Sequence, residues 1–231
     1  MIRLTMRYFG TDAWPDNGEN FSMQVHAEDL AAFIRGLKLE PVTLVGWSWG
    51  AGVCLTMAVQ DPSLVKRMFL YEPALATFVA DKKTSQAALQ DRIAMSEQAR
   101  MLAEAGALEG TVHKFMDGVN SQTGAFSGLS TDVRKVMTEN ARMLPLLFTG
   151  PPPPPVKDKD LQDLALPVTI ALGSQSRSFY RITAHTAHAP IPSSELKVIE
   201  GARHLLPVQR PEEFCQAVLD FLGQDQSVEL Q

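Results

Sequence analysis

One serine and one histidine in this chain have the types and settings that acyl-group chemistry requires. Ser48 lies in the pentapeptide "GWSWG", which has the form G-x-S-x-G from Gly46 to Gly50. A serine hydroxyl is a poor nucleophile near neutral pH and needs a base within hydrogen-bond reach. Of the five histidines, only His204 falls in a turn just past a strand pattern, where "GARHLLP" supplies a glycine for the bend. His26 falls in the first helical pattern and His113 in a later one. His185 and His188 stand three apart on another, with no third ligand near them in sequence, so no metal site is expected.

By itself the pentapeptide is weak, since some match arises by chance in roughly one chain in ten of this length. Its setting is more specific. In "PVTLVGWSWGAGVCLTMAVQ" an apolar strand pattern runs into the serine and a helical pattern leaves it. A sharp strand-to-helix turn would strain the serine backbone and lift its hydroxyl clear of the sheet. Gly46 and Gly50 are then expected where a Cβ would collide with the neighbouring strand and helix. The N–H of Trp49, at a helix N-terminus, would form half of an oxyanion hole. Trp47 and Trp49 either flank a substrate pocket or pack in the core, and the sequence leaves both open.

Those residues need elements to hold them. The 231 residues suffice for one α/β domain, and the composition (45% hydrophobic, 20% charged) is that of a globular protein. "IRLTMRYF", Ile2 to Phe9, reads as a strand. Ser22 is a candidate N-cap for a helix with Leu30, Phe33, Ile34 and Leu37 on one face. "VTLVGW" and "VKRMFLYEP" read as strands covered on both sides, with a helix from about Trp49 to Gln60 between them. From Pro73 to about Leu166 helical patterns dominate, as in "SQAALQDRIAMSEQARMLAEA" and "STDVRKVMTENARMLPLLF". "GPPPPPVKDKD" follows as a stiff linker. "LPVTIALG", a helix from about Phe179 to Ala187, "ELKVIEG" and a last helix opened by Pro211 complete the chain. Strands alternating with helices predict a mainly parallel sheet with helices on both faces. Residues 1–72 and 167–231 would form that core, and 73–166 a helical cap inserted into it.

The net charge of -5 and the lack of a dense basic run argue against a nucleic-acid surface. No apolar stretch approaches the roughly 18 residues of a membrane span, and the N-terminus lacks a signal-peptide core. A cytoplasmic protein is expected. Cys54 and Cys215 both read as small buried residues of helices rather than as a disulfide.

The chain resembles the α/β-hydrolase family over nearly its whole length. "SMQVHAEDLAAFIRGLKLEPVTLVGWSWGAG" is similar to that family's helix, strand and nucleophile elbow, and "VIEGARHLLPVQRPEEFCQAVLDFL" to its last strand, histidine loop and final helix. The resemblance implies Ser48 as nucleophile and His204 as general base. It places the third group, an acid, in one of two positions. The commoner one, after the penultimate strand, reads "ALGSQSRSFYR" here, with Ser176 near where an aspartate would stand. The other follows the strand after the nucleophile helix, where "FLYEP" supplies Glu72. Glu72 keeps the order nucleophile, acid, base. The rival reading makes it a structural carboxylate paired with a cap residue.

Family members begin with three strands before the one similar to Ile2–Phe9, and the third carries a loop with a second oxyanion N–H. The resemblance therefore implies an N-terminally shortened sheet. Ile2–Phe9 would either pair directly with Val42–Val45 or leave a gap, and three accounts follow: a truncated gene model, a homodimer that covers the edge, or a remnant without turnover. One missing oxyanion donor costs about 2.7–4 kcal/mol, which impairs an enzyme accelerating by ~10⁶ or more without abolishing it. The expected function is a serine hydrolase that needs no cofactor. It would cleave an ester, thioester or lactone of a small, largely apolar substrate through an acyl-enzyme on Ser48. The alternatives are a non-catalytic binding protein on the same scaffold, and an acyltransferase or perhydrolase using the same three residues.

Overall fold

Four segments pair into one parallel sheet in the computed structural model, which describes residues 1–223. The last eight residues of the expected core segment 167–231 lie outside the described residues. In chain order the elements are α1 (Met23–Leu37), β1 (Val42–Trp47), α2 (Trp49–Gln60), β2 (Val65–Tyr71) and α3 (Lys82–Glu104). Then come α4 (Leu108–Asn120), α5 (Thr131–Glu139), α6 (Leu144–Thr149), α7 (Asp158–Gln162), β3 (Val168–Gly173) and α8 (Ser178–His188). β4 (Ser194–Ile199), α9 (Leu206–Gln209) and α10 (Pro211–Gly223) close the described chain. The strand order is β1-β2-β3-β4 and every pairing is parallel. All four strands therefore end on one side of the sheet. That alignment brings Trp47 level with Tyr71 and Gly173 level with Ile199.

Helices cover both faces of the sheet at β2, where Met68 to Tyr71 form a continuous apolar run. β1, expected to be covered on both sides, leaves Val45 exposed because it is an edge strand. Met68 and Leu70 pack with α1, α2 and α8, whereas Phe69 and Tyr71 pack with Ala217 and Phe221 of α10. All four side chains are fully buried, each contributing about 1.5–3 kcal/mol by leaving water. Arg67, buried in the same strand, donates to the carbonyls of Phe221 and Leu222. It thereby places a cation at the negative end of α10. Ser22 caps α1 as its sequence suggests, its Oγ accepting from Val25 N at 3.0 Å.

The N-terminal segment departs from expectation. Ile2–Phe9 forms no strand, and Met1, Ile2 and Leu4 are exposed. β-branched and aromatic composition favours a strand only where a ladder partner exists, and β1, the edge strand, has none on its outer side among the described residues. The segment is held by side chains instead. Arg7 forms a two-pronged pair with Asp29 at 2.8 and 2.6 Å, and the Tyr8 hydroxyl donates to Asp16. Two smaller expectations also change. Cys215 lies exposed on α10 rather than buried, while Cys54 is buried. The helical pattern across residues 130–148 breaks after Glu139, where Asn140 takes Val136 O with its amide and Gly10 N with its carbonyl. A short 3₁₀ turn and Pro145 then start α6. Among the described residues no helix is long and apolar enough to cross a membrane.

The turn from β1 into α2 is tight at one glycine and loose at the other. A Cβ on Gly46 would lie 2.7 Å from Ala51 Cα and 2.9 Å from its nitrogen, both backbone atoms that cannot swing away. A Cβ on Gly50 would meet nothing within 4 Å, so the expected collision there is absent. Gly46→Ala should therefore destabilise by about 1–3 kcal/mol. Gly50→Ala, in a helix, should be neutral or stabilising by up to about 1 kcal/mol. Urea unfolding of the two variants checks this; equal losses at both positions would contradict it.

Candidate active site

Ser48 sits at the tip of β1 with φ 55° and ψ -118°, a left-handed backbone that costs a non-glycine residue roughly 1–3 kcal/mol. Three hydrogen bonds hold it there. Ser48 N donates to Tyr71 O at 2.9 Å, and Ser48 O accepts from Gly52 N at 3.1 Å and Ala74 N at 3.0 Å. Trp49 is the first residue of α2, so its N–H has no acceptor within the helix.

His204 and Glu72 complete the cluster. His204 Nε2 lies 3.0 Å from Ser48 Oγ, and His204 Nδ1 lies 2.7 Å from Glu72 Oε2. A carboxylate only accepts, so Nδ1–H is the donor to Glu72, which leaves bare Nε2 to accept the serine proton. Glu72 is fully buried at the end of β2, with its own backbone left-handed at φ 49°. Its second oxygen accepts from Gly173 N at 2.8 Å and from the Ser176 hydroxyl. None of these partners comes from residues 73–166, contrary to the rival reading of Glu72 as a carboxylate paired with that segment. Ser176, read in the sequence only as a missing acid, thus becomes a donor to the acid that stands elsewhere. Gly173 must lack a side chain, because a Cβ there would fall 2.2 Å from Ala202 O.

Aromatic rings frame the histidine. The Tyr180 ring stacks on the His204 imidazole with centroids 3.8 Å apart and planes 6° from parallel. Burial and the Glu72 carboxylate push the Tyr180 phenol far up, so it stays protonated. Tyr71, on β2, donates to Arg203 O at 2.8 Å and fixes the loop that carries His204. Sequence reasoning missed Tyr180, since no motif distinguishes an α8 aromatic that packs from one that stacks on a functional ring. Trp47 lies 5.7 Å from His204 by ring centroids, and its buried Nε1 has no hydrogen-bond partner among the described residues.

Ser48, His204, Tyr180, Trp47 and Trp49 all line one cavity of about 910 Å³ between the strand ends and helices α3–α6. Both tryptophans, left open by the sequence, therefore border the space, though Trp49 also stacks on Phe21. Its wall is largely apolar, with Met95, Phe115, Met143 and Leu147 contributing. Pro151 to Pro153, read in the sequence as part of a stiff linker, form part of that wall. Among the described residues no three His, Cys, Asp or Glu side chains gather into a metal-binding group. His188 Nδ1 instead lies 2.7 Å from Ser194 Oγ. Chemically, a hydroxyl, an imidazole and a buried carboxylate in line can move a proton off the hydroxyl and hold the resulting imidazolium.

The family model for the alpha/beta hydrolase fold matches residues 4–211. An uncharacterized protein of Mycobacterium tuberculosis strain H37Rv is 25% identical over 229 positions, which cover 91% of this chain and 64% of that protein. This chain thus spans less than two thirds of that relative's length. The structure of MenH from S. aureus aligns with a TM-score of 0.69 at 20% identity, covering 96% of this chain and 82% of that one. A structure from work on carboxylesterases of the thaumarchaeon Nitrososphaera gargenis aligns at 0.70 and 17% identity, covering 97% and 79%. At these identities the likeness is one of fold.

A second histidine holds Trp49 from behind. The Trp49 indole donates to His26 Nδ1 at 3.0 Å, so the His26 proton is on Nε2, 3.1 Å from Arg7 O. Burial lowers the His26 pKa below its ordinary 6.5, because the charged ring would lose its hydration. The folded state then resists protonation more than the unfolded one, and stability is lost as pH falls through the unfolded value. Unfolding free energy should fall from about pH 7 toward pH 5, and His26→Gln should flatten that slope. An unchanged slope in the variant, measured by urea titration at each pH, would contradict the assignment.

Proposed function

Because the chain belongs to the alpha/beta hydrolase fold family, we propose that it is a serine hydrolase acting on an ester, thioester or lactone of a small, largely apolar acyl compound. The observation that carries this reading is the continuous contact Ser48 Oγ, His204 Nε2, His204 Nδ1, Glu72 Oε2 at the foot of an apolar cavity. Ser48 Oγ attacks the acyl carbonyl while His204 Nε2 takes its proton. The new C–O bond leaves negative charge on the carbonyl oxygen, which the Trp49 N–H receives; a donor of this kind contributes about 2.7–4 kcal/mol. Collapse breaks the bond to the leaving group, which departs with the proton from Nε2, and the acyl group stays on Ser48. Water then gives its proton to Nε2 and attacks the acyl carbon. Ser48 leaves with that proton, and a carboxylic acid is released.

Glu72 remains ionised throughout and offsets the charge of the imidazolium. Ser176 and Gly173 N hold its other oxygen, so it cannot turn away from Nδ1. Tyr180 acts on the same intermediate. A cation over an aromatic face gains about 0.5–2 kcal/mol. Here that gain arises only when His204 is charged, so it favours the transition state over the ground state.

A fluorophosphonate probe should label Ser48 in folded protein, and Ser48→Ala should abolish both labelling and hydrolysis of p-nitrophenyl esters. Glu72→Gln should lower kcat by about 10⁴-fold by allowing the wrong imidazole tautomer. Absence of labelling in folded protein overturns the enzymatic reading and favours a binding protein; product analysis with added alcohols separates hydrolysis from acyl transfer. Tyr180→Leu should slow labelling about 2–30-fold, whereas Tyr180→Phe should retain most of the rate. Equal losses in the two Tyr180 variants would show that the ring's stacking is not what matters.

A further inference from the structure

Three residues of α3 stand out from the cavity wall. Arg92, Ser96 and Arg100 are spaced i, i+4 and i+8, so they form one stripe along the helix, and all three line the cavity that contains Ser48. Met95 and Ala99, one position before the second and third, are buried and tie the helix to the interior. Both arginines are exposed at the mouth of the largely apolar space, so water hydrates their guanidinium groups and an anion entering the cavity can replace that water. Arg92 has no hydrogen-bond or ion-pair partner for its side chain among the described residues. Arg100 reaches Glu104 only at 3.9 Å, with both side chains half exposed or more, a pairing of little strength.

Nor does the cavity neutralise them. Among the described residues lining it, Asp132 is the sole acidic one. It stands in the first turn of α5, where it complements the helix dipole, and it pairs with neither arginine. Two arginines against one aspartate leave the lining net positive in a chain whose net charge is -5, so the excess is a property of this place and not of the surface at large. Between the arginines, Ser96 is short and turns its hydroxyl back to Arg92 O at 3.1 Å. The two Cα atoms are about 12 Å apart along the axis, a span that two long side chains can close over a serine.

We infer that Arg92 and Arg100 form a subsite for a carboxylate on the substrate, away from the bond that is cleaved. The substrate class is then an apolar acyl compound with a free carboxylate, such as a half-ester of a dicarboxylic acid. This rests on the hydrolase reading for turnover but not for binding. Guanidinium and carboxylate match in charge and planar geometry, and hydrogen bonds between charged partners exceed neutral ones in strength. The positive lining also draws anions from solution, an effect that salt reduces.

The test compares matched pairs. Calorimetry on Ser48→Ala protein would measure methyl hydrogen octanedioate against methyl octanoate, with no turnover to complicate the reading. The carboxylated compound should bind roughly tenfold more tightly, the preference should shrink with added salt, and it should vanish in Arg92→Gln/Arg100→Gln. In the unmodified enzyme the corresponding p-nitrophenyl esters should show the same preference, chiefly in KM. If the double glutamine variant does not fold, Arg92→Gln and Arg100→Gln are tested singly, and each should reduce the preference. Equal affinity for both compounds in folded protein overturns the subsite, as does a preference that survives the substitutions. Failure of Ser48 labelling with the binding preference intact would sink the hydrolase reading alone.

Discussion

A carboxylate removed from water costs several kcal/mol unless donors replace its hydration, and Glu72 is removed from water completely. Three groups meet that demand: Gly173 N, the Ser176 hydroxyl and His204 Nδ1. Each fixes a different part of the fold. β2 must end at Tyr71 so that Glu72 can turn into the left-handed region. β3 must end in a residue without a side chain, because Ala202 O lies where a Cβ would stand. The loop after β4 must bring His204 back across two strands, and Tyr71 and Asn120 hold it there through Arg203 O and Leu205 N. Ser48 joins the same knot through its bond to Tyr71 O.

The cavity above this knot is positioned by a second, partly buried charge pair. Asp91 of α3 receives two donors from Arg177 and the N–H of Phe179, at the start of α8. Burial opposes its ionisation, yet Arg177 and the Phe179 N–H hold its carboxyl below the ordinary range. The same carboxylate thus ties α3 to the helix that carries Tyr180. Displacing α3 would move both the wall of the cavity and the ring stacked on His204. The proposed substrate subsite on α3 and the proposed chemistry at Ser48 therefore share one rigid connection.

Much of this arrangement was legible in the residues. The strand-to-helix turn at "GWSWG" is visible because glycine, serine and the switch from apolar run to helical period coincide there, and "FLYEP" marks Glu72 as a carboxylate at a buried strand end. What stayed hidden depends on contacts between distant segments. Ile2–Phe9 has strand composition, but pairing is a property of two strands, and its neighbour is not set by its own sequence. Ser176 read as a lost acid because a hydroxyl is informative only once its acceptor, 104 residues earlier, is known. Gly50 and Gly46 look alike in the pentapeptide, yet only one is crowded. Cys215 shows the limit of a helical pattern, which gives spacing but not which face turns inward.

The central claim is that a buried glutamate fixes which imidazole nitrogen faces the serine. Nitrogen-15 NMR of histidine-labelled protein reads that directly. The account predicts a His204 ring protonated on Nδ1 and bare on Nε2 at neutral pH, with that state lost when Glu72 becomes glutamine. A His204 ring protonated on Nε2, or one unaffected by the change at position 72, would contradict it.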